Sequence, residues 1–286
     1  MTDLAQHLSS IVNHPQNWDF SGAGQLFAGV DIGTYKAIVI VVDEMGVPRA
    51  ATMRRAEVVR SGLIVDYAGA RNMVCEMIKD IRDSSPLPIE KGATSYPPQT
   101  EYANINATRY ILEGAGLDVL KVLDEPTAAN CVLKLENGAI VDVGGGTTGI
   151  AVIKNGKIVF TDDEATGGVH LSLVIAGNYK ISYEQAEEVK MDRRRNREIL
   201  PVVHPVIEKI ASIVASCLQP FNDLTRVCLV GGTCELEGFT EVAQKSLNLE
   251  TFRPKFPGFI TPLGIALSCL DENGGPNQGP PAELEV

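Results

Sequence analysis

Two stretches of this chain set a carboxylate beside a glycine-rich turn. From Ala139 to Ile153 the sequence reads AIVDVGGGTTGIAVI. Ile140, Val141 and Val143 are apolar and β-branched, as a buried strand requires. Gly144, Gly145 and Gly146 remove every side chain from the following turn, so backbone N–H groups can approach an anion closely. Thr147 and Thr148 add hydroxyl donors, and Asp142 stands at the strand mouth, where a carboxylate could hold a hydrated Mg²⁺ against phosphates. Taken alone, a DxGGG turn fits a tight β-turn with a structural aspartate equally well. A second copy weighs against that reading. Phe27 to Val42 reads FAGVDIGTYKAIVIVV, with an apolar strand, Asp31, Gly33, Thr34 and a further β-rich strand in the same order.

Both hairpins continue alike, through DEMGVP (Asp43–Pro48) and KNGKIV (Lys154–Val159), each a polar turn leading to a third strand. The pattern predicts two similar α/β domains, each presenting one hairpin and one carboxylate to a shared cleft. Between them, apolar spacing predicts a helix over 67–81, ended by SSPLP, a second helix over 104–114 and a strand over 118–123. In DEPTAAN (Asp124–Asn130), Pro126 sits where a helix can begin, and Asp124 or Glu125 stands near its positive end. That position suits a carboxylate that orients water or metal, and it suits a helix cap equally.

The composition narrows the function classes. With 286 residues, 44% hydrophobic and 21% charged, the chain suits a globular protein of about two domains. A net charge of -11 gives no general excess of cations for nucleic-acid or anionic-membrane binding. The local run Arg193–Arg195 reads as a solvated helix end. Six cysteines form no CxxC pair and there are four histidines, so a zinc site is not expected and a reducing compartment is. No signal peptide and no uninterrupted apolar run of spanning length is evident, which points to the cytoplasm. Residues 1–25 read as an extension whose Leu4, Leu8, Ile11 and Val12 have helical spacing, either a docking peptide or a helix packed on its own domain. Residues 271–286 read as a flexible Gly/Pro-rich tail.

The motifs GVDIGT (Gly29–Thr34), DEPTAA (Asp124–Ala129), DVGGGTTGIAV (Asp142–Val152) and LVGGT (Leu229–Thr233) resemble, in order and spacing, the actin-like ATPase superfamily of heat-shock chaperones, MreB, FtsA and sugar kinases. The resemblance covers 27–269. It implies two ribonuclease-H-like lobes, at 26–136 and 137–270, with reduced outer subdomains, a last helix free to return to the first lobe, and ATP or ADP with Mg²⁺ between them. Asp31, Gly33, Thr34 and Tyr35 would form one phosphate loop, and Asp142 with Gly144–Thr148 the other. Asp31, Glu125, Asp142 and Thr147 would be the catalytic groups, and Asp31 and Asp142 would hold the metal through water. Gly231, Gly232 and Thr233 would form the adenosine loop, and Glu187 and Lys190 would contact ribose, unless they are an ordinary exposed i,i+3 ion pair. Gly167 and Gly168 would let a strand turn into a helix whose N-terminus faces phosphate.

Three departures from the superfamily pattern stand out. Gly149 replaces an acidic residue after the turn, Glu235 stands where the chaperones carry an arginine, and the short interval from Gly46 to Thr94 leaves no clear source for a catalytic lysine, Lys36 being no more than a positional choice. Slow hydrolysis or none is therefore expected. ATSYPP (Ala93–Pro98), DEATGG (Asp163–Gly168), ISYEQAEEVK (Ile181–Lys190) and TPLGIA (Thr261–Ala266) further resemble the ethanolamine-utilisation branch, chaperone-like proteins associated with bacterial microcompartment operons. This implies partners among ethanolamine-pathway enzymes, such as ethanolamine ammonia-lyase, or shell components, with Leu4–Val12 as a candidate docking helix. A catalytically silent scaffold and a small-molecule kinase are the alternatives.

Overall fold

The computed structural model describes residues 2–60 and 62–271, so the expected tail lies outside the described residues except for Asp271. Helix α1 (Thr2–Ile11) precedes β1 (Leu26–Ile32), β2 (Lys36–Asp43) and β3 (Pro48–Arg55). A small hairpin follows, β4 (Val59–Arg60) and β5 (Leu63–Ile64), then α2 (Tyr67–Ser84), β6 (Lys91–Tyr96), α3 (Tyr102–Gly114), β7 (Asp118–Asp124) and α4 (Glu125–Leu133). The second lobe runs β8 (Gly138–Val143), β9 (Thr148–Lys154), β10 (Lys157–Glu164), α5 (Gly168–Tyr179), α6 (Tyr183–Met191), α7 (Asn196–Leu218), β11 (Arg226–Val230), α8 (Phe239–Leu247), β12 (Glu250–Phe252) and α9 (Ile260–Ser268).

The two five-stranded sheets share one topology, β3-β2-β1-β6-β7 and β10-β9-β8-β11-β12. In each, the first three strands form an antiparallel meander and the other two join in parallel. The turns at Gly46 and Gly156 lead into β3 and β10 as the repeated pattern predicts, both glycines taking positive φ. In ATSYPP, Ala93 to Tyr96 belong to β6 and the irregular segment starts at Pro97.

Apolar alternation divides the protein into layers. Val30, Val39 and Val41 of the first sheet face α2 and α3, packing on Val74, Met77 and Ile111. Val141, Val143 and Val152 of the second face the α5–α8 side through Leu171, Val203, Ile207 and Phe239. The inner faces, with Ile38 and Ile40 on one sheet and Ile140 and Ile153 on the other, enclose α4 and α9 through Ala129, Val132, Leu263 and Ala266.

This central layer is packed backbone on backbone. A Cβ added at Gly264 of α9 would lie 1.8 Å from the Ala128 carbonyl oxygen on α4. One added at Gly29 of β1 would lie 2.4 Å from the Ala266 nitrogen. The last helix therefore seats on the first lobe's sheet although its sequence follows the second lobe.

Helix α1 is part of the fold. Ala5, Leu8 and Ile11 are fully buried against β3, Val12 pairs with Ala51, and Trp18 Nε1 donates to the Ile11 carbonyl. Of the two readings of this segment, a docking peptide or a helix packed on its own domain, its buried apolar face fits the second. The structure also qualifies the membrane reading. Arg193–Leu218 is long and apolar enough, by length and composition, to cross a membrane. Its stripe of Ile199, Val203, Ile207, Ile210 and Val214 lies in the second lobe's core instead.

Two outcomes follow from this packing. Gly264→Ala should lower stability by about 3 kcal/mol or more, because neither helix can retreat without opening both sheets; a urea melt no different from wild type would contradict the close crossing. Deleting residues 2–14 should cost about 2–4 kcal/mol through loss of the Leu8 and Ile11 burial. Unchanged stability would restore α1 as a detachable docking segment.

Candidate functional site

The first strand of each lobe ends in its aspartate at the interlobe space. Ladder register places Asp31 opposite Ile38 and Asp142 opposite Gly149, so both carboxylates lie on the inner faces of their sheets. The turns that follow meet each other. A Cβ at Gly146 would lie 2.6 Å from Thr34 Oγ1, and one at Gly145 would lie 3.2 Å from Tyr35 Cβ. These glycines therefore allow the two turns to approach each other as well as a ligand. Among the described residues, the N–H groups of Thr34, Tyr35, Gly145 and Gly146 have no hydrogen-bond acceptor.

A cavity of about 380 Å³ opens between the lobes at these turns. Asp31, Gly33, Thr34, Tyr35, Gly144, Gly145, Gly146 and Thr147 line it from the two hairpins, with Asp142 and Glu125 at the strand and helix ends. Gly231, Gly232 and Thr233 wall another side, and Glu187 and Lys190 a third.

The carboxylates form one electrostatic unit. Burial, reinforced by Asp142 and opposed by Lys36, raises Asp31 to about 7. Burial likewise raises Asp142, against the Thr261 hydroxyl hydrogen bond and the Lys36 charge. Glu125 is pushed well above the usual carboxylate range by burial and then by Asp142, Asp31 and Asp163. Asp124 and Glu125 have separated roles, since Asp124 caps α4 by accepting from the Thr127 N–H and hydroxyl while its neighbour faces the cavity.

Glu187 and Lys190 are not the exposed pair that an i,i+3 spacing allows. Glu187 is 1% exposed, accepts from the Ser172 hydroxyl and lies 2.8 Å from Lys190 Nζ, while its second oxygen is enclosed and unpartnered. Burial lowers the Lys190 pKa against the pull of Glu187. Lys190 Nζ lies 5.8 Å from the centre of the Tyr35 ring, and the Arg55 guanidinium lies 5.7 Å from it.

Three expected contacts are arranged differently. Thr148 is fully buried and its hydroxyl donates to the Thr166 carbonyl, so it does not line the cavity. Gly167 and Gly168 lie behind the second turn, where the Gly168 and Val169 N–H groups donate to the Gly144 and Gly145 carbonyls. The start of α5 therefore braces the turn, and its N–H groups are not directed at the cavity. Thr233 also braces this turn through its hydroxyl to Gly144. Gly231 has φ 89°, and a Cβ there would lie 2.3 Å from the Val143 oxygen and 2.4 Å from Asp142 Oδ1, so only glycine suits this contact.

Some cavity residues had weak or no sequence signals. Lys36, a positional choice from sequence, reaches across to the second lobe and lies 5.7 Å from the Phe259 ring centre. Arg193, from the run read as a solvated helix end, lines the cavity and pairs with Glu235 at 2.9 Å, returning a cation to the side where the arginine of the chaperones is replaced. Asp163 of β10 does not line the cavity, but its charge acts on Glu125. Burial raises Asp163 to about 7, opposed by a Thr147 hydrogen bond.

Ethanolamine utilization protein EutJ of Escherichia coli (strain K12) is 43% identical to this chain over 252 residues, covering 87% of this chain and 88% of the relative. The chain belongs to the EutJ family. The crystal structure of ethanolamine utilization protein EutJ from Carboxydothermus hydrogenoformans matches it with a TM-score of 0.86 at 43% identity, over 93% of this chain and 98% of that one. MreB5 of Spiroplasma citri bound to ADP matches with a TM-score of 0.66 at 15% identity, over 84% and 95% of the two chains, a likeness of fold. The model of the type IV pilus assembly protein PilM family matches residues 105–253. The two-lobed architecture is that of the actin-like ATPases.

The raised carboxylates set the sign of a pH effect. Asp31 and Asp163 take up a proton near pH 7 when folded and near the ordinary carboxylate value when unfolded. Between about pH 4 and 7 the folded state holds the extra protons, so metal-free stability should fall as pH rises through that window. Allowing for screening by cleft water, each group should contribute about 1–2 kcal/mol. Thermal melts in EDTA should show a lower midpoint at pH 8 than at pH 5, with a shallower slope in Asp31→Asn. A midpoint that rises with pH would contradict the assignment.

Proposed function

We propose that this chain is a nucleotide-dependent switch of ethanolamine utilization, binding ATP or ADP with Mg²⁺ between its lobes and hydrolysing ATP slowly. The supporting observation is the pair of matched turns whose free N–H groups and terminal aspartates meet at one interlobe cavity. Backbone N–H groups without acceptors suit phosphate oxygens, and the side-chain-free turns let them come close. A cluster of like-charged carboxylates in low dielectric suits a divalent cation.

In this reading Asp31 and Asp142 hold the hydrated metal, which supplies charge neutralisation at the phosphates. Glu125 sits at the helix end to orient a water and accept its proton. Lys36 and Lys190 supply cations from opposite lobes, while Gly231, Gly232 and the Glu187 side flank the nucleoside. None of these places a lysine over the transferred group from an outer subdomain, because β4 and β5 are two residues each. Hydrolysis slower than roughly one per second is expected for that reason.

Binding closes the lobes only through contacts that differ between open and closed states. A ligand touching both turns supplies such contacts, and the outer surface of the lobes then reports its presence to a partner. The name carried by the relatives directs the search for that partner to ethanolamine-pathway enzymes or microcompartment components of the cytoplasm. A catalytically silent scaffold is the second reading, favoured by the small size of the β4–β5 hairpin.

Titration calorimetry with ADP and Mg²⁺ on wild type and Asp142→Ala, followed by phosphate release, tests the proposal. Wild-type binding weakened at least about tenfold in the variant, with slow release, is the expected result. No binding at millimolar nucleotide would give the lead to the scaffold.

A further inference from the structure

Lys36 and Arg55 are directly opposed on β2 and β3, so two cations share the inner face of the first sheet. Like charges so placed repel. Arg55 is engaged by Glu57 and the Tyr35 ring and does not line the cavity, whereas Lys36 does. Among the described residues the Lys36 ammonium has no hydrogen bond and no ion pair, and its contact is with the Phe259 ring. Its three N–H donors therefore enter the cleft uncommitted. Lys36 acts at longer range on Asp31 and Asp142, opposing the rise in both carboxyl groups without pairing with either.

The second lobe leaves room for that side chain. Phe256 takes a left-handed backbone with φ 56°, uncommon for an aromatic residue, and the turn it opens brings the Pro257 carbonyl to the Gly231 N–H at 3.2 Å. This joins the turn at 257–259 to the glycine loop at 231–233, and a Cβ at Gly258 would lie 3.2 Å from Gly232 Cα. Lys36 Nζ lies 3.4 Å from that Cβ position and 3.6 Å from the one at Gly232. Bare backbone at both residues keeps the space around the ammonium open. Glu235 Oε1 lies 3.0 Å from the Gly258 position, but its carboxylate is engaged by Arg193.

The backbone of Lys36 follows the first glycine turn directly, while its tip rests at the loop that walls the nucleoside side. A side chain spanning those two walls meets a nucleotide where its phosphates join its sugar.

We propose that Lys36 is a ligand of the phosphate adjoining the sugar, and that its ammonium lets the cleft hold a nucleoside monophosphate without a divalent cation. This rests on the nucleotide reading above and adds to it a residue and a metal-free mode of binding. The tethered ammonium neutralises phosphate charge and donates to its oxygens, a role that a metal otherwise fills. Because the donor comes from β2 and the surrounding backbone from the second lobe, the phosphate also ties the lobes together.

Adenosine and AMP differ by this phosphate alone and serve as probes in EDTA, by titration calorimetry on the full chain, with ADP and Mg²⁺ measured alongside. Wild type is compared with Lys36→Met, Lys36→Arg and Arg55→Gln. Wild type should bind AMP at least about tenfold more tightly than adenosine. Lys36→Met should lose most of that difference and keep the adenosine affinity, which also shows that it folds. Lys36→Arg should retain part of the difference, and Arg55→Gln should behave like wild type. Four results overturn the proposal: AMP bound no more tightly than adenosine by wild type, Lys36→Met that keeps the wild-type difference, equal losses of adenosine and AMP in Lys36→Met and Lys36→Arg, or a loss in Arg55→Gln as large as in Lys36→Met. The last would assign the effect to the field of the opposed cations, with no contact at Lys36. Any of the four beside tight ADP binding with Mg²⁺ would end this proposal alone and leave the switch reading standing. AMP binding that needs Lys36, with ADP binding that gains nothing from Mg²⁺, would keep this proposal and end the metal part of that reading. No binding of adenosine, AMP or ADP in any condition would end both.

Discussion

The spacing of the two sheets is set by a helix pair with almost no side chain at its crossing. Gly264 rests on the Ala128 carbonyl, Gly29 on the backbone at Ala266, and α4 and α9 fill the interlobe layer up to the strand ends. Beyond them the interlobe cavity opens, and both terminal aspartates line it. Like charges in such a space repel and are poorly solvated, which is why their protons are retained to unusually high pH. The packing that unites the lobes thus creates the electrostatic demand that a cation or an ordered donor must meet.

The second constraint is contact between the turns. Gly145 and Gly146 abut Tyr35 and Thr34 so closely that side chains would hold the lobes apart. Gln99 Nε2 also reaches from the first lobe to Asp162 at 2.6 Å, and Pro98 and Pro126 rest on Gly149. These contacts around the cavity are small or polar, whereas the α4–α9 layer is extensive and apolar. Relative motion of the lobes should therefore act at the cavity, with that layer as the fixed side.

Much of this was legible in the sequence because it depends on local pattern. Strand, aspartate, glycine turn and second strand occur twice with the same period, and β-branched runs and turn glycines are local signals. The α4 cap was visible as a proline after two acids, although only the structure separates Asp124, the cap, from Glu125, the cavity group. Facts that depend on distant partners could not be read. The stripe on α1 looks the same whether it meets another protein or β3. Glu187 and Lys190 have a spacing found on countless exposed helices, and their burial comes from Ser172 and Tyr35, far away in sequence. Arg193 looked like part of a solvated run because its partner, Glu235, follows α7 and β11.

Gly149 shows why an absent residue type is a poor measure of an absent chemistry. Read along the chain, it removes a carboxylate and weakens the catalytic case. Read across the sheet, it occupies the middle of a row whose two neighbours are both aspartates, and it receives two prolines from the opposite lobe. A β-bulge between Ile158 and Phe160 sets which residue of β10 falls opposite Gly149. A one-residue slip in that ladder would turn Asp163 to the α7 side and bring Asp162 to the inner face. Which aspartate of β10 shares the inner face with Asp142 is therefore fixed by a register, and the register by an irregularity that neither composition nor motif spacing displays.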